Sequence, residues 1–228
     1  MQVELIDRIK ETGDTFSFIF KPDKAISWKA GQFIFYRIPH KNPDKRGIKR
    51  HFTIASAPYE NNIRLTCKFD FKNGSSFKKD LYGLDEGARV EAFNVGGQFI
   101  LKDTGKKYVF LAGGIGITPF RAILLDLMHK DLGPVITLLY GNKDNDITFK
   151  DTLNQLELDN SWLKVNYVIE PRLIDEGLIN SSVKDIYNSI FYVSGPLKMV
   201  QIMEKMLVSM NIKKENMVVD YFPGYGES

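Results

Sequence analysis

Cysteine is nearly missing from this chain: one residue, Cys67, among 228. A single thiol excludes an intrachain disulfide framework, a Cys-rich zinc site and a cysteine-ligated iron–sulfur cluster, so redox chemistry here needs a cofactor that cysteines do not hold. No metal site is expected. Long apolar runs are missing too. Nothing approaches the roughly 20 residues of a membrane span, and the N-terminus, charged at Glu4, Asp7, Arg8, Lys10 and Glu11, lacks the apolar stretch of a secretory signal. A cytoplasmic location is the expectation. Nor is there an excess of charge of one sign: 31 Lys and Arg against 28 Asp and Glu leave a net +3. That is too weak for the basic face that binds nucleic acid. With 43% apolar and 26% charged residues, the chain is neither disordered nor low in complexity and can bury a core.

The charge that is present is unevenly spread. Residues 1–103 hold 18 basic and 13 acidic side chains, and residues 104–228 hold 13 and 15. Much of the front's excess lies between Arg37 and Arg50, where Lys41, Lys45, Arg46 and Lys49 join them and face only Asp44. For most of these charges, taken singly, a solvated loop is the simplest account.

The hydrophobic rhythm changes at the same point. In the front half, short β-branched and aromatic segments (Thr15–Phe20, Gln32–Ile38, His51–Ala55, Ile63–Phe69, Arg89–Phe93) are separated by turn residues, and only Ser76–Tyr82 reads as helix. This predicts a small antiparallel barrel or sandwich. In the back half strands alternate with helices: Tyr108–Ala112, Val135–Tyr140, Leu163–Ile169 and Ile190–Val193 against Pro119–His129, Thr148–Leu158 and Pro196–Met210. Such alternation predicts a parallel sheet covered on both faces. The fold class expected is therefore β plus α/β in two domains, a β-barrel over 1–103 and a parallel-sheet nucleotide domain over 104–228.

The strongest local signal is Ala112-Gly113-Gly114-Ile115-Gly116-Ile117-Thr118-Pro119, which follows an apolar strand and opens a helix. Glycines there let the backbone turn tightly against a pyrophosphate, whose charge is stabilised by free N–H groups at the helix start. Thr118 suits the N-cap and Pro119 the first helical position. The standard dinucleotide fingerprint is not met. Proline replaces its third glycine, and the second strand ends in Tyr140-Gly141-Asn142-Lys143 in place of an acid that would hold a ribose 2′-hydroxyl. Lys143 could meet a 2′-phosphate, whereas Asp144 and Asp146 would oppose one, leaving NADH and NADPH both open.

Three more segments carry chemistry. In the segment from Lys49 to Pro58, read as a strand, Arg50 and Phe52 share one face, and His51 and Thr53 the other. Asn73-Gly74-Ser75-Ser76 precedes the front half's helix, where it can cap the helix or hold an anion. Phe191-Tyr192-Val193-Ser194-Gly195-Pro196 ends a strand at the carboxyl edge of the predicted sheet, where doubly wound sheets bind ligands.

In this order the segments resemble the ferredoxin–NADP reductase superfamily of flavoprotein reductases. Arg50-His51-Phe52-Thr53 is similar to its Arg-x-Tyr-Ser/Thr flavin motif and Gly74-Ser75-Ser76 to its flavin-phosphate segment. Gly113 to Pro119 is similar to its nicotinamide-nucleotide loop, Tyr140-Gly141-Asn142 to its second-strand end, and Ser194-Gly195-Pro196 to its Cys-Gly-Pro motif. Gly31-Gln32-Phe33 and the tail from Asp220 to Tyr225, with Phe222, match as well.

The resemblance implies an FAD-binding barrel and an NAD(P)-binding domain. It implies that Arg50 pairs with the flavin pyrophosphate, Phe52 packs on the flavin, Thr53 lies near flavin N5, and backbone around Lys68 with Gly74, Ser75 and Ser76 completes that site. NADH or NADPH would lie across Gly113, Gly114, Gly116, Thr118, Pro119, Tyr140, Asn142, Lys143, Gly195 and Pro196. Thr53 and Ser194 would flank the hydride path. Three departures stand out: Phe52 for tyrosine, which keeps the ring and loses a hydroxyl, Ser194 for cysteine, and Lys78 for an apolar residue. The implied activity is hydride transfer from NAD(P)H to FAD, with electrons passed to a separate acceptor such as an acidic ferredoxin or flavodoxin that lands on the basic 37–50 loop. The rival expectations are a reductase of free flavin, an electron-transfer subunit and a non-catalytic nucleotide-binding module.

Overall fold

Among the described residues, eleven strands form two sheets of opposite character, accompanied by five α-helices. The protein is described from a computed structural model over residues 1–222.

The first sheet contains β1 (Gln2–Lys10), β2 (Thr15–Pro22), β3 (Phe33–Arg37), β4 (Lys49–Thr53), β5 (Ile63–Lys68) and β6 (Arg89–Gly96), in the order β4-β3-β6-β1-β2-β5 with antiparallel pairing throughout. Its two edges meet through the Ile54–Leu65 bridge and the 2.8 Å bond from the Ala55 amide to the Arg64 carbonyl, which gives it a barrel-like closure. Alternation sets the inside: Val3, Leu5, Phe18, Phe20, Ile34, Tyr36, Ile63 and Leu65 have no exposed surface. The helix α1 (Ser76–Tyr82) closes one end by burying Phe77 and Leu81.

β1 is the strand that the sequence pattern conceals. It carries four charges, and a bulge between Leu5 and Asp7 interrupts its alternation, leaving Ile6 turned to solvent. Yet it lies near the centre of the sheet, paired with both β2 and β6.

The second sheet, order β11-β10-β7-β8-β9, is parallel in every pair. Its strands are β7 (Lys107–Gly113), β8 (Ile136–Asn142), β9 (Leu163–Ile169), β10 (Ser189–Pro196) and β11 (Met217–Phe222), and its helices are α2 (Thr118–His129), α3 (Lys150–Asp159), α4 (Glu176–Ser182) and α5 (Leu197–Ser209). β7 is buried from Tyr108 to Gly113 because helices cover both faces, so it reads as an unbroken apolar run. α4 and β11 had no clear periodic signal: α4 is short and polar, and β11 is an edge strand.

One correction concerns the start of α2. A 3-10 turn over Gly114–Ile117 runs straight into it, so Thr118 is already helical and its hydroxyl donates back to the Ile115 carbonyl at 3.2 Å. The expected N-cap at Thr118 is therefore replaced by a helical start four residues earlier. α2 itself is buried on nearly every side. It packs against the second sheet and also against Ala30, Ala55, Ala57 and Phe99 of the first half, so one apolar core joins the two sheets.

Candidate functional site

β7, β8, β9 and β10 end together at the carboxyl edge of the parallel sheet, where the Gly113–Ile117 turn lifts off β7. A cavity of about 710 Å³ opens there. The turn shows why its glycines are needed. Gly114 has φ +49 with open space where a Cβ would point, whereas a Cβ on Gly116 would meet the Ser194 carbonyl oxygen at 2.2 Å. Gly114 therefore supplies a left-handed backbone facing the cavity, and Gly116 supplies close contact with β10.

Of the residues the sequence singles out, Lys68, Gly113, Gly114, Asn142, Lys143 and Pro196 line this cavity. Gly116, Thr118, Pro119 and Tyr140 do not; they are buried behind the turn. The Tyr140 hydroxyl donates to the Gly114 carbonyl at 3.0 Å and lies 3.4 Å from that of Thr148, bracing the glycine turn from beneath. Burial raises its pKa well above the ordinary phenol range.

The cavity also gathers residues the sequence reading missed. The β1–β2 turn, Thr12 to Thr15, forms its barrel-side wall, and Arg172, Lys198, Met199 and Ile202 border its other side. No motif marks them, because they approach only through the packing of separate elements. Lys143, Arg172 and Lys198 have no ion pair among the described residues. Two of the nearby acids are engaged: Asp146 Oδ2 accepts the Gly13 amide at 2.7 Å, and Asp144 Oδ1 accepts the Asp146 amide at 2.9 Å. The first of these bonds ties the barrel to the parallel sheet.

Ser194 and Asp220 face each other in register on β10 and β11. The Ser194 hydroxyl is fully buried and has no hydrogen-bond partner among the described residues. Burial lifts the Asp220 carboxyl to about 6, against a smaller lowering by a backbone hydrogen bond from Tyr221. Phe222 ends β11 half-buried; Pro223 to Tyr225, the rest of the matching tail, lie outside the described residues.

A second constellation forms at the barrel mouth. On β4, Arg50 and Phe52 point inward, Arg50 opposite Tyr36 and with its guanidinium 5.5 Å from the Phe77 ring centroid. Phe52 packs between Tyr36 and Phe77. His51 points outward between Phe33 and Phe35, and burial lowers its pKa; its side chain is turned away from Arg50. Thr53 is buried at the end of the strand, and the Ser75 hydroxyl caps α1 by accepting the Lys78 amide at 3.3 Å. Lys78 Nζ donates to the Lys68 carbonyl at 2.7 Å, so the unexpected lysine ties α1 to β5. The Arg50 Nε is buried with no partner among the described residues.

The model of an oxidoreductase NAD-binding domain matches residues 110–205. Curated relatives include flavohemoprotein A of Dictyostelium discoideum, 25% identical over 96% of this chain and 59% of that protein. The electron transfer component of 2-halobenzoate 1,2-dioxygenase from Burkholderia cepacia is 26% identical over 97% of this chain and 66% of its own length. Among solved structures, the FAD/NAD-binding domain of a nitric oxide dioxygenase from Vibrio cholerae superposes with a TM-score of 0.85, at 20% identity, over 97% of this chain and 98% of that one. The likeness to that structure is one of fold.

The chain spans 59% and 66% of the length of the two curated relatives above. The cytochrome b5 reductase domain of Ulva prolifera nitrate reductase shares this fold across 96% of both chains, with a TM-score of 0.84 at 21% identity. No helix among the described residues is long and apolar enough to cross a membrane.

Proposed function

We propose that the chain is an NAD(P)H-dependent FAD oxidoreductase module that hands electrons to a separate acceptor. The observation that carries this reading is the cavity at the carboxyl edge of the parallel sheet, where the Gly113–Ile117 turn, the Asn142-Lys143 strand end and Pro196 converge. A nicotinamide nucleotide suits that place: free amides at the helical start favour its pyrophosphate, and Lys143, Arg172 and Lys198 offer cations to its phosphates.

The barrel mouth suits a flavin dinucleotide. Arg50 offers a buried, unused Nε–H beside the amides that lead into α1, the donor type that a pyrophosphate needs, and Phe52 offers a ring to pack on. When bound, FAD would supply the hydride acceptor and divide the electron pair for single-electron delivery. The chain's own work is to hold the two nucleotides, orient them and exclude water, with Thr53 and Ser194 placed from the barrel and the parallel sheet respectively.

The acceptor that fits best is a small acidic carrier such as a ferredoxin or flavodoxin. Lys41, Lys45, Arg46 and Lys49 are exposed on the 41–49 segment, and its only acid, Asp44, turns inward. Those outward cations are left uncompensated and would steer an acidic partner.

An absorbance spectrum of the purified protein before and after anaerobic NADH or NADPH tests the reading. The expected result is a flavin spectrum that bleaches, faster with one coenzyme. Protein that neither contains nor takes up flavin sinks it.

A further inference from the structure

Asp44 is the one acid in the basic segment, and it is spent inward. Its Oδ1 accepts Arg50 Nη2 at 2.8 Å and the Arg46 amide at 2.9 Å, and its Oδ2 accepts the Ser76 amide at 3.2 Å. Its own amide donates to Ser76 Oγ at 2.9 Å, and that hydroxyl also meets His40 Nε2 at 3.0 Å. The carboxylate therefore sits on the very donors, Arg50 and the Ser76 amide, that the flavin reading gives to a phosphate.

The seat is electrostatically underfilled. Burial and the neighbouring Arg46 both lower the pKa of Arg50, and Asp44 only partly offsets them. Arg50 Nη1 falls back on the carbonyls of Arg46, Gly47 and Lys49, and its Nε has nothing. One carboxylate thus serves the Arg50 guanidinium and two backbone amides where a pyrophosphate would bring more charge and more acceptor oxygens. A carboxylate and a phosphate cannot share these donors without strong repulsion.

We infer that Asp44 is a resident anion that occupies the pyrophosphate seat in the cofactor-free protein, and that the 41–48 segment is a strap that must withdraw it for the cofactor to bind. The inference rests on the flavin reading above. It makes cofactor affinity the difference between phosphate binding and Asp44 release.

The test uses cofactor-free full-length protein and two probes, FAD followed by quenching of its fluorescence and inorganic pyrophosphate followed by calorimetry. Asp44→Ala and Asp44→Asn should each bind both probes at least about fivefold tighter than the wild type, a coupling of ordinary size for two ligands of one seat. Asp44→Asn keeps the shape and one acceptor oxygen, so it covers the case in which Asp44→Ala fails to fold. Unchanged or weaker binding in a folded variant overturns the inference, the weaker case making Asp44 a positioning residue for Arg50. FAD bound with equal affinity by all three proteins leaves the flavin reading standing and removes Asp44 from it. Pyrophosphate bound with the expected ranking but no FAD bound by any of them keeps the seat and sinks the flavin reading. Failure of wild type and variants to bind either probe overturns both.

Discussion

Gly114 and Gly116 stand two positions apart in the same turn and answer to different physical demands, so alanine separates them. At Gly116 a methyl group would collide with the Ser194 backbone, which cannot move without shifting β10. At Gly114 the space is open and only the left-handed backbone resists, at about 1–2 kcal/mol. Gly116→Ala is therefore expected to lower the urea midpoint far more than Gly114→Ala, and Gly114→Ala to act mainly on the KM for the nicotinamide nucleotide. Equal losses of stability would contradict this division. Arg50 is the residue on which the proposed flavin site turns. Losing a charge-assisted donor costs about 1.5–3 kcal/mol, so Arg50→Ala should weaken FAD binding about 10- to 100-fold in a fluorescence titration. Asp220 gives a pH signature. Its folded pKa, about 6, lies above the ordinary carboxylate value, so between roughly pH 4 and 6 the folded state holds more protons than the unfolded one. Its contribution to stability is thus present at low pH and is lost as pH rises through 6. Asp220→Asn should flatten that part of the denaturation profile; an unaltered slope would refute the assignment.

Among elements, α2 has the most demanding position, because it serves the parallel sheet on one side and the barrel on the other. Arg121 on α2 is 5% exposed and donates to the Ala55 carbonyl at 2.7 Å, while its two Nη atoms reach the two Glu60 carboxylate oxygens at 3.0 Å each. Glu60 is held in turn by the Ala57 amide at 2.7 Å. Such a paired fork restricts how the two sheets can rotate against each other, a restriction that the proposed transfer between two bound nucleotides needs. Removing one member of a buried pair leaves the other charge uncompensated, which typically costs about 3–5 kcal/mol. Glu60 keeps some solvent access, with 24% of its side chain exposed, so Arg121→Ala is expected near the bottom of that range by chemical denaturation. A loss below about 1 kcal/mol would show that the fork contributes little. The stacking of Tyr59 on His129, 4.1 Å between centroids, lies on the same seam and lends it further area.

At the scale of the whole molecule, an acidic carrier drawn by Lys41, Lys45, Arg46 and Lys49 should be reduced ever more slowly as salt is added, because screening removes long-range steering. Stopped-flow rates that do not change between low and high salt would count against that docking face. Composition and periodicity by themselves determined the fold class. Period-2 segments followed by alternating strands and helices leave little choice but a barrel and a covered parallel sheet, since each apolar face must find a partner. They also determined where the glycine turn stands, because tight turns need specific residues. They could not reveal β1, whose bulge and charges disguise a central strand, or the true start of α2, where a 3-10 turn extends the helix backwards. Only the tertiary structure decided which residues meet: that Thr12 to Thr15 wall the cavity, that Tyr140 braces the turn from behind, and that Asp44 sits on Arg50 and the Ser76 amide. Local patterns are written by neighbours a few positions apart, whereas these contacts join residues far apart in the chain whose approach depends on how whole elements pack.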